Sequence, residues 1–104
     1  MFYKRAGHDP VQCANGRIWA EWYETAGESR IVARDEFDGF VISTIFTGID
    51  QEISKGPPLL FETMIFRDGR AGDMTRYATW GAAEAGHRAA VKTSRDAARP
   101  DTAA

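Results

Sequence analysis

Asp50, Glu62, Arg76 and His87 are the residues whose types could support chemistry. Two carboxylates, a guanidinium and an imidazole suffice for general acid–base work if they converge in one cleft. Glu62 sits among Leu60, Met64 and Phe66, so it is a carboxylate on an otherwise apolar strand face. A hairpin centred on Gly69 would set Arg76 opposite Glu62. An opposite-charge cross-strand pair contributes roughly 0.2–1 kcal/mol. Such a pair reads more readily as an ion pair in a polar gap than as a general base with a perturbed pKa. His87 falls on the apolar stripe of the last predicted helix, where a lone histidine is usually a hydrogen-bonded core residue. The other histidine, His8, lies near the far terminus. Asp50, Glu52 and Glu62 could supply oxygen ligands, but no H-x-x-x-H spacing accompanies them, so no metal and no cofactor is implied. Cys13 is the one cysteine, with no neighbouring base to lower its pKa, and it excludes an internal disulfide. Ser43 and Ser54 lie in no nucleophile-elbow context, and Asp68-Gly69-Arg70-Ala71-Gly72 lacks the spacing and lysine of a phosphate loop. Trp19 and Trp22 read first as core, and second as anchors for a partner, since Trp is favoured at interface hot spots.

These residues must be positioned by short elements. Two extended segments, residues 2–4 and 11–13, flank Gly7-His8-Asp9-Pro10, which has turn chemistry. Asn15 is placed to cap a helix over residues 16–26. Ile18, Trp19, Trp22, Tyr23 and Ala26 share one face of it, and Gly27 stands at its end. Asp38-Gly39 between runs 30–37 and 40–48 is a two-residue hairpin signal. Gly56-Pro57-Pro58 delays the next strand to Leu59 or later, after a polar connector over residues 50–55. The run 59–66 is apolar on both faces, residues 67–72 read as a turn, and residues 73–78 read as the last strand. Thr79 can cap a helix over residues 80–94, fading near Arg95. The predicted fold class is α+β: one antiparallel four-stranded meander with two helices on one face, in the order β-β-α-β-β-β-β-α. Residues 1–94 form one domain, and residues 95–104 read as a disordered tail.

Composition narrows the function classes. The chain has 104 residues, is 43% hydrophobic and 27% charged, and carries a net charge of −2. That fits one globular domain and gives no global attraction for nucleic acid or an anionic membrane. No stretch approaches the ~20 apolar residues that span a bilayer, and no export signal or cysteine pairing argues against a reducing cytoplasm.

The two-sided run 59–66 sharpens this. Two short helices cover one sheet face, so the other keeps Leu60, Met64, Phe66 and Met74 as an exposed patch. A second copy, a partner protein or the N-terminal hairpin must cover it. A homodimer through this face is the expected assembly, with the aromatic helix Ile18–Tyr23 as the second candidate interface.

Four motifs carry a resemblance. Val41–Asp50 reads as a Ser-Thr strand ending Gly48-Ile49-Asp50. Gly56–Phe66 reads Gly-Pro-Pro-Leu-Leu-Phe-Glu-Thr-Met-Ile-Phe. Arg76-Tyr77-Ala78-Thr79 is followed by Ala83-Glu84-Ala85-Gly86-His87. Over residues 40–88 the chain resembles small uncharacterised proteins of tailed bacteriophages and prophages, with Gln51 where their pattern has a histidine. The resemblance implies origin and a bacterial host cytoplasm, not a mechanism. The helix–meander–helix order is also similar to the double-stranded-RNA-binding domain. However, Trp80-Gly81-Ala82-Ala83-Glu84 has no basic residue where that domain grips the backbone. The favoured function is a phage or prophage accessory protein acting as a non-enzymatic interaction module on itself or on a host or phage protein. The alternatives are a nucleic-acid-binding module on the RNA-binding-domain-like topology, and a small enzyme using Glu62, Arg76 and His87.

Overall fold

The computed structural model describes residues 1–50 and 56–98. Residues 51–55 of the expected connector, Gln51 among them, and residues 99–104 of the expected tail lie outside the described residues. The elements follow the predicted order. β1 (Tyr3–Ala6) and β2 (Asp9–Gln12) form a hairpin, α1 spans Gly16–Ala26, and a single 3₁₀ turn (Gly27–Arg30) leads into the sheet. β3 (Ile31–Phe37), β4 (Phe40–Phe46), β5 (Phe61–Arg67) and β6 (Arg70–Tyr77) form an antiparallel meander in sequence order, and α2 (Trp80–Ala98) closes the fold.

Local chemistry sets the boundaries. The Asn15 side chain accepts from the Ile18 amide at 3.0 Å, and the Thr79 hydroxyl accepts from the Ala82 amide at 3.1 Å, so both helices start on side-chain caps. Asp38 and Gly39 both have positive φ, 47° and 82°, as a type I′ turn requires. Asp68 and Gly69 repeat it at 51° and 80°. The last hairpin is therefore tighter than the turn read over residues 67–72, and β6 begins at Arg70 and not at Asp73. Exposed Ala71 and Gly72 have poor strand propensity, and the turn, not their own preference, puts them in the sheet. Between Phe66 and Met64 on β5, the paired residues on β6 step from Ala71 to Met74. That bulge adds the one residue that sets Arg76, and not Thr75, opposite Glu62. α2 also runs past the expected fade near Arg95, so residues 95–98 are helical. The Arg95 guanidinium lies 4.3 Å from the Phe37 ring, and Ser94 is buried.

β4 alternates between buried and half-buried residues along its length, so one sheet face is sealed and the other is not. Phe46, Leu60, Phe61 and Ala83 form the centre of the sealed side, with Tyr3, Trp22, Val32, Tyr77 and Trp80 packed around them. α2 lies across all four strands. α1 enters the same core at the Thr47 end, where Trp22 meets the Phe46 ring edge-on at 5.6 Å. The β1–β2 hairpin docks beside it: the Tyr3 amide donates to Gly48 at 2.7 Å, and His8 stacks on Trp80 at 3.9 Å. Leu60 belongs to this core and not to the opposite patch. β5 begins only at Phe61, and the Thr47 and Gly48 amides both donate to the Leu60 carbonyl, turning its side chain inward.

Gly86 lets α2 approach the sheet. A Cβ there would overlap the Tyr77 hydroxyl and ring, with Cε1 at 2.6 Å. Gly to Ala inside a helix normally stabilises by roughly 0.5–1 kcal/mol. Here Gly86→Ala is expected to do the reverse, by about 1–2 kcal/mol. A thermal melt above wild type would refute this packing.

Candidate functional site

The residues singled out in the sequence fall on opposite sides of the sheet. Glu62 and Arg76 are register partners, with Arg76 Nε 3.5 Å from Glu62 Oε2, on the unsealed side. His87 lies under α2 on the sealed side, 3% exposed. Asp50 follows the Phe2–Ile49 bridge, and its amide donates to the Met1 carbonyl at 3.0 Å. The sheet thus separates Glu62 and Arg76 from His87, and the cleft that an enzyme built on these three would need is not formed. Trp19 donates its indole N–H to the Thr47 carbonyl at 3.2 Å and packs on Phe2 and Tyr23, while Trp22 is spent on Phe46. Both tryptophans hold α1 to the sheet. Cys13 is buried and unpaired. Among the described residues, no three His, Cys, Asp or Glu side chains converge as a metal site would need.

His87 has partners that the sequence did not point to. Its Nε2 lies 2.7 Å from Asp35 Oδ2, its Nδ1 lies 2.7 Å from the Thr44 hydroxyl, and Thr44 lies 2.5 Å from the Thr63 hydroxyl. With the ring neutral and Nε2–H donating to Asp35, Thr44 donates to Nδ1 and Thr63 donates to Thr44; with the ring protonated at both nitrogens, Nδ1–H donates to Thr44 instead and Thr44 donates to Thr63, so every group is satisfied in either case. Hydroxyl, imidazole and carboxylate in that sequence match the logic of a nucleophile–base–orienter set. Access decides against catalysis. Thr44 is 0% exposed and Thr63 3%, between Ile42 and Phe46 and under α2. A substrate atom would have to sit about 3 Å from a hydroxyl that no solvent reaches. The set is a satisfied polar strut joining β3, β4, β5 and α2, wet only at Asp35, whose side chain is 44% exposed. Period two along β4 already places Thr44 on the buried face. Thr63 becomes visible only once the β4–β5 register is known.

The unsealed face is the remaining feature. Its centre is Ser43 on β4 beside Met64 on β5. Val41, Ile45, Phe66 and Met74 surround them, all half-buried except Met74, which is 42% exposed. Arg34 and Glu36, 3.1 Å apart and half or more exposed, form one charged margin, and Glu62 with Arg76, largely buried, forms the opposite corner. None of the described elements packs over it. At the Ile31–Ile45 corner the face runs into a groove lined by Tyr23, Gly27, Glu28 and Arg30. No family model, curated protein or solved structure matches the chain. Fold and site together define a class: an α+β domain whose antiparallel meander is sealed by helices on one side and, among the described residues, open, apolar and charge-framed on the other.

Proposed function

We propose that the protein is a non-enzymatic interaction module that works through the open face of its sheet. With the motif resemblance, we read it as an accessory protein of a phage or prophage acting in the bacterial cytoplasm. One observation carries the reading: Met64, Phe66 and Met74 form a continuous apolar surface that none of the described elements covers. Apolar area left in water forgoes about 25 cal/mol per Å² of stabilisation, and contiguous patches of this kind mark contact surfaces. The nucleic-acid alternative gains nothing from the geometry, since the start of α2 presents Gly81, Ala82 and Glu84.

The test uses the chain expressed at its native level and extracted gently. Its assembly is expected to run larger than the 11.5 kDa monomer on size exclusion. Met64→Asp is expected to reduce it to the monomer without lowering the melting temperature by more than a few degrees. Arg88→Asp, on the exposed side of α2, is expected to leave it intact. A wild-type chain that runs as a monomer from its native source contradicts the proposal.

A further inference from the structure

We infer that the partner on the open face is a second copy of this chain, packed sheet to sheet about a two-fold axis with the strands crossing near right angles. The inference rests on the interaction-module reading and adds the partner and the geometry. The face is charge-balanced, with two arginines and two glutamates framing an apolar centre. A strongly acidic or basic partner would find no opposite field here, whereas a copy of the same face can be complementary if the axis is placed correctly.

The register fixes where the charges sit. Glu36 lies level with Val41 and Phe66, Arg34 with Ser43, Met64 and Met74, and Ile31 with Ile45, Glu62 and Arg76. Strands are about 4.8 Å apart, and same-face neighbours along a strand are about 6.8 Å apart. Glu36 and Arg76 therefore occupy diagonal corners of an almost square patch. A two-fold axis along the strands would lay Arg34 on Met74 and Glu62 on Ile45 of the partner, burying charge against apolar groups. An axis across the strands through Arg34 would bring the two Arg34 side chains together. The diagonal axis through Glu36 and Arg76 would bring like charges onto themselves. The other diagonal brings Glu36 over the partner's Arg76 and Arg34 between the partner's Ile45 and Glu62, within reach of that carboxylate, with Phe66 near the partner's Met74 and the two Met64 residues at the centre. Near-perpendicular crossing is one of the two ordinary ways that sheets pack. Each cis pair (Arg34–Glu36 and Glu62–Arg76) then joins the opposite cis pair of the partner, closing a four-membered ring of alternating charge. Symmetry makes two such rings.

The rings make a specific test possible. One variant carries Arg34→Glu and Glu36→Arg, and the other carries Glu62→Arg and Arg76→Glu. Each keeps its cis pairs opposite in sign, so each monomer should fold cooperatively; the Arg34–Glu36 exchange should keep the wild-type melting temperature, and the Glu62–Arg76 exchange should lower it by a few degrees, because those side chains are 19% and 23% exposed. Sedimentation equilibrium of the purified full chain at low salt is expected to show a wild-type dimer. Either variant alone should associate at least 100-fold more weakly, because both of its rings meet like charges in trans. An equimolar mixture of the two should recover a 1:1 dimer of near wild-type affinity, because both of its rings are again alternating. Swapped variants that dimerise as well as wild type, or a mixture that stays monomeric, would overturn the inference. So would a wild-type monomer at ~100 μM. If that purified monomer came from a chain whose native assembly Met64→Asp still dissolves, the second copy would be excluded and the interaction reading would stand.

Discussion

Removing the His87 ring is expected to cost about 3–4 kcal/mol and to lower the melting temperature by roughly 12–25 °C. The imidazole holds Asp35 and Thr44 at 2.7 Å each and is 3% exposed, so His87→Ala loses both hydrogen bonds and opens a cavity under α2. Thr44→Val should cost about 1–3 kcal/mol. It conserves volume but leaves His87 Nδ1 and the Thr63 hydroxyl without the partner between them. Asp35→Asn should cost less than either, because that end of the strut is open to water, which can replace the lost acceptor. The order His87→Ala, then Thr44→Val, then Asp35→Asn is the signature of a structural strut whose cost grows with burial. Urea unfolding of the three variants checks it. A His87→Ala chain within about 1 kcal/mol of wild type would show that the strut does not hold α2 to the sheet.

Gly48→Ala is expected to be comparably severe, at about 3–5 kcal/mol. Gly48 has φ +70°, and a Cβ there would run into the Tyr3 carbonyl and lie 2.7 Å from the Trp19 indole nitrogen. The first obstacle is backbone and cannot swing aside. Relieving it means lifting β1 away from the end of β4, with loss of the Tyr3–Gly48 hydrogen bond at 2.7 Å. The positive φ adds a further cost of order 1 kcal/mol for any residue with a side chain. Gly7→Ala separates the two contributions. Gly7 has φ +62° with open space around it, so only the conformational cost of about 1 kcal/mol applies there. Calorimetric melts that placed the two alanine variants together would show that the docking of the N-terminal hairpin is loose.

Both sites show what the sequence could and could not reveal. The caps at Asn15 and Thr79, the helix 16–26 and the Asp38-Gly39 hairpin were legible because each depends on residues a few positions apart. So was the pairing of Glu62 with Arg76, because a wide turn centred on Gly69 gives the same partners as the actual geometry. A tight turn and a bulge together supply the same offset. Leu60 lands on the wrong face if alternation is carried one residue beyond the start of β5, where the hydrogen bonds from Thr47 and Gly48 take over. The His87 strut was half legible: the helical stripe placed the ring indoors, but its partners come from three strands whose mutual register depends on the tertiary fold. The open face was legible as an excess of apolar residues on both sides of β5. Its charged frame was not, since Arg34 and Glu36 on β3 join that face only once four strands are aligned.

If the open face is a contact surface, its methionines are shielded wherever the partner is bound, and oxidation reads that shielding residue by residue. Met64 and Met74 sit on that face, while Met1 is exposed elsewhere. Mild peroxide treatment followed by mass spectrometry can compare dilute purified chain with the same chain inside the cell. Met64 and Met74 are expected to be oxidised readily in the dilute chain and protected several-fold in the cell, with Met1 unchanged. Equal oxidation of Met64 and Met74 under both conditions would contradict it.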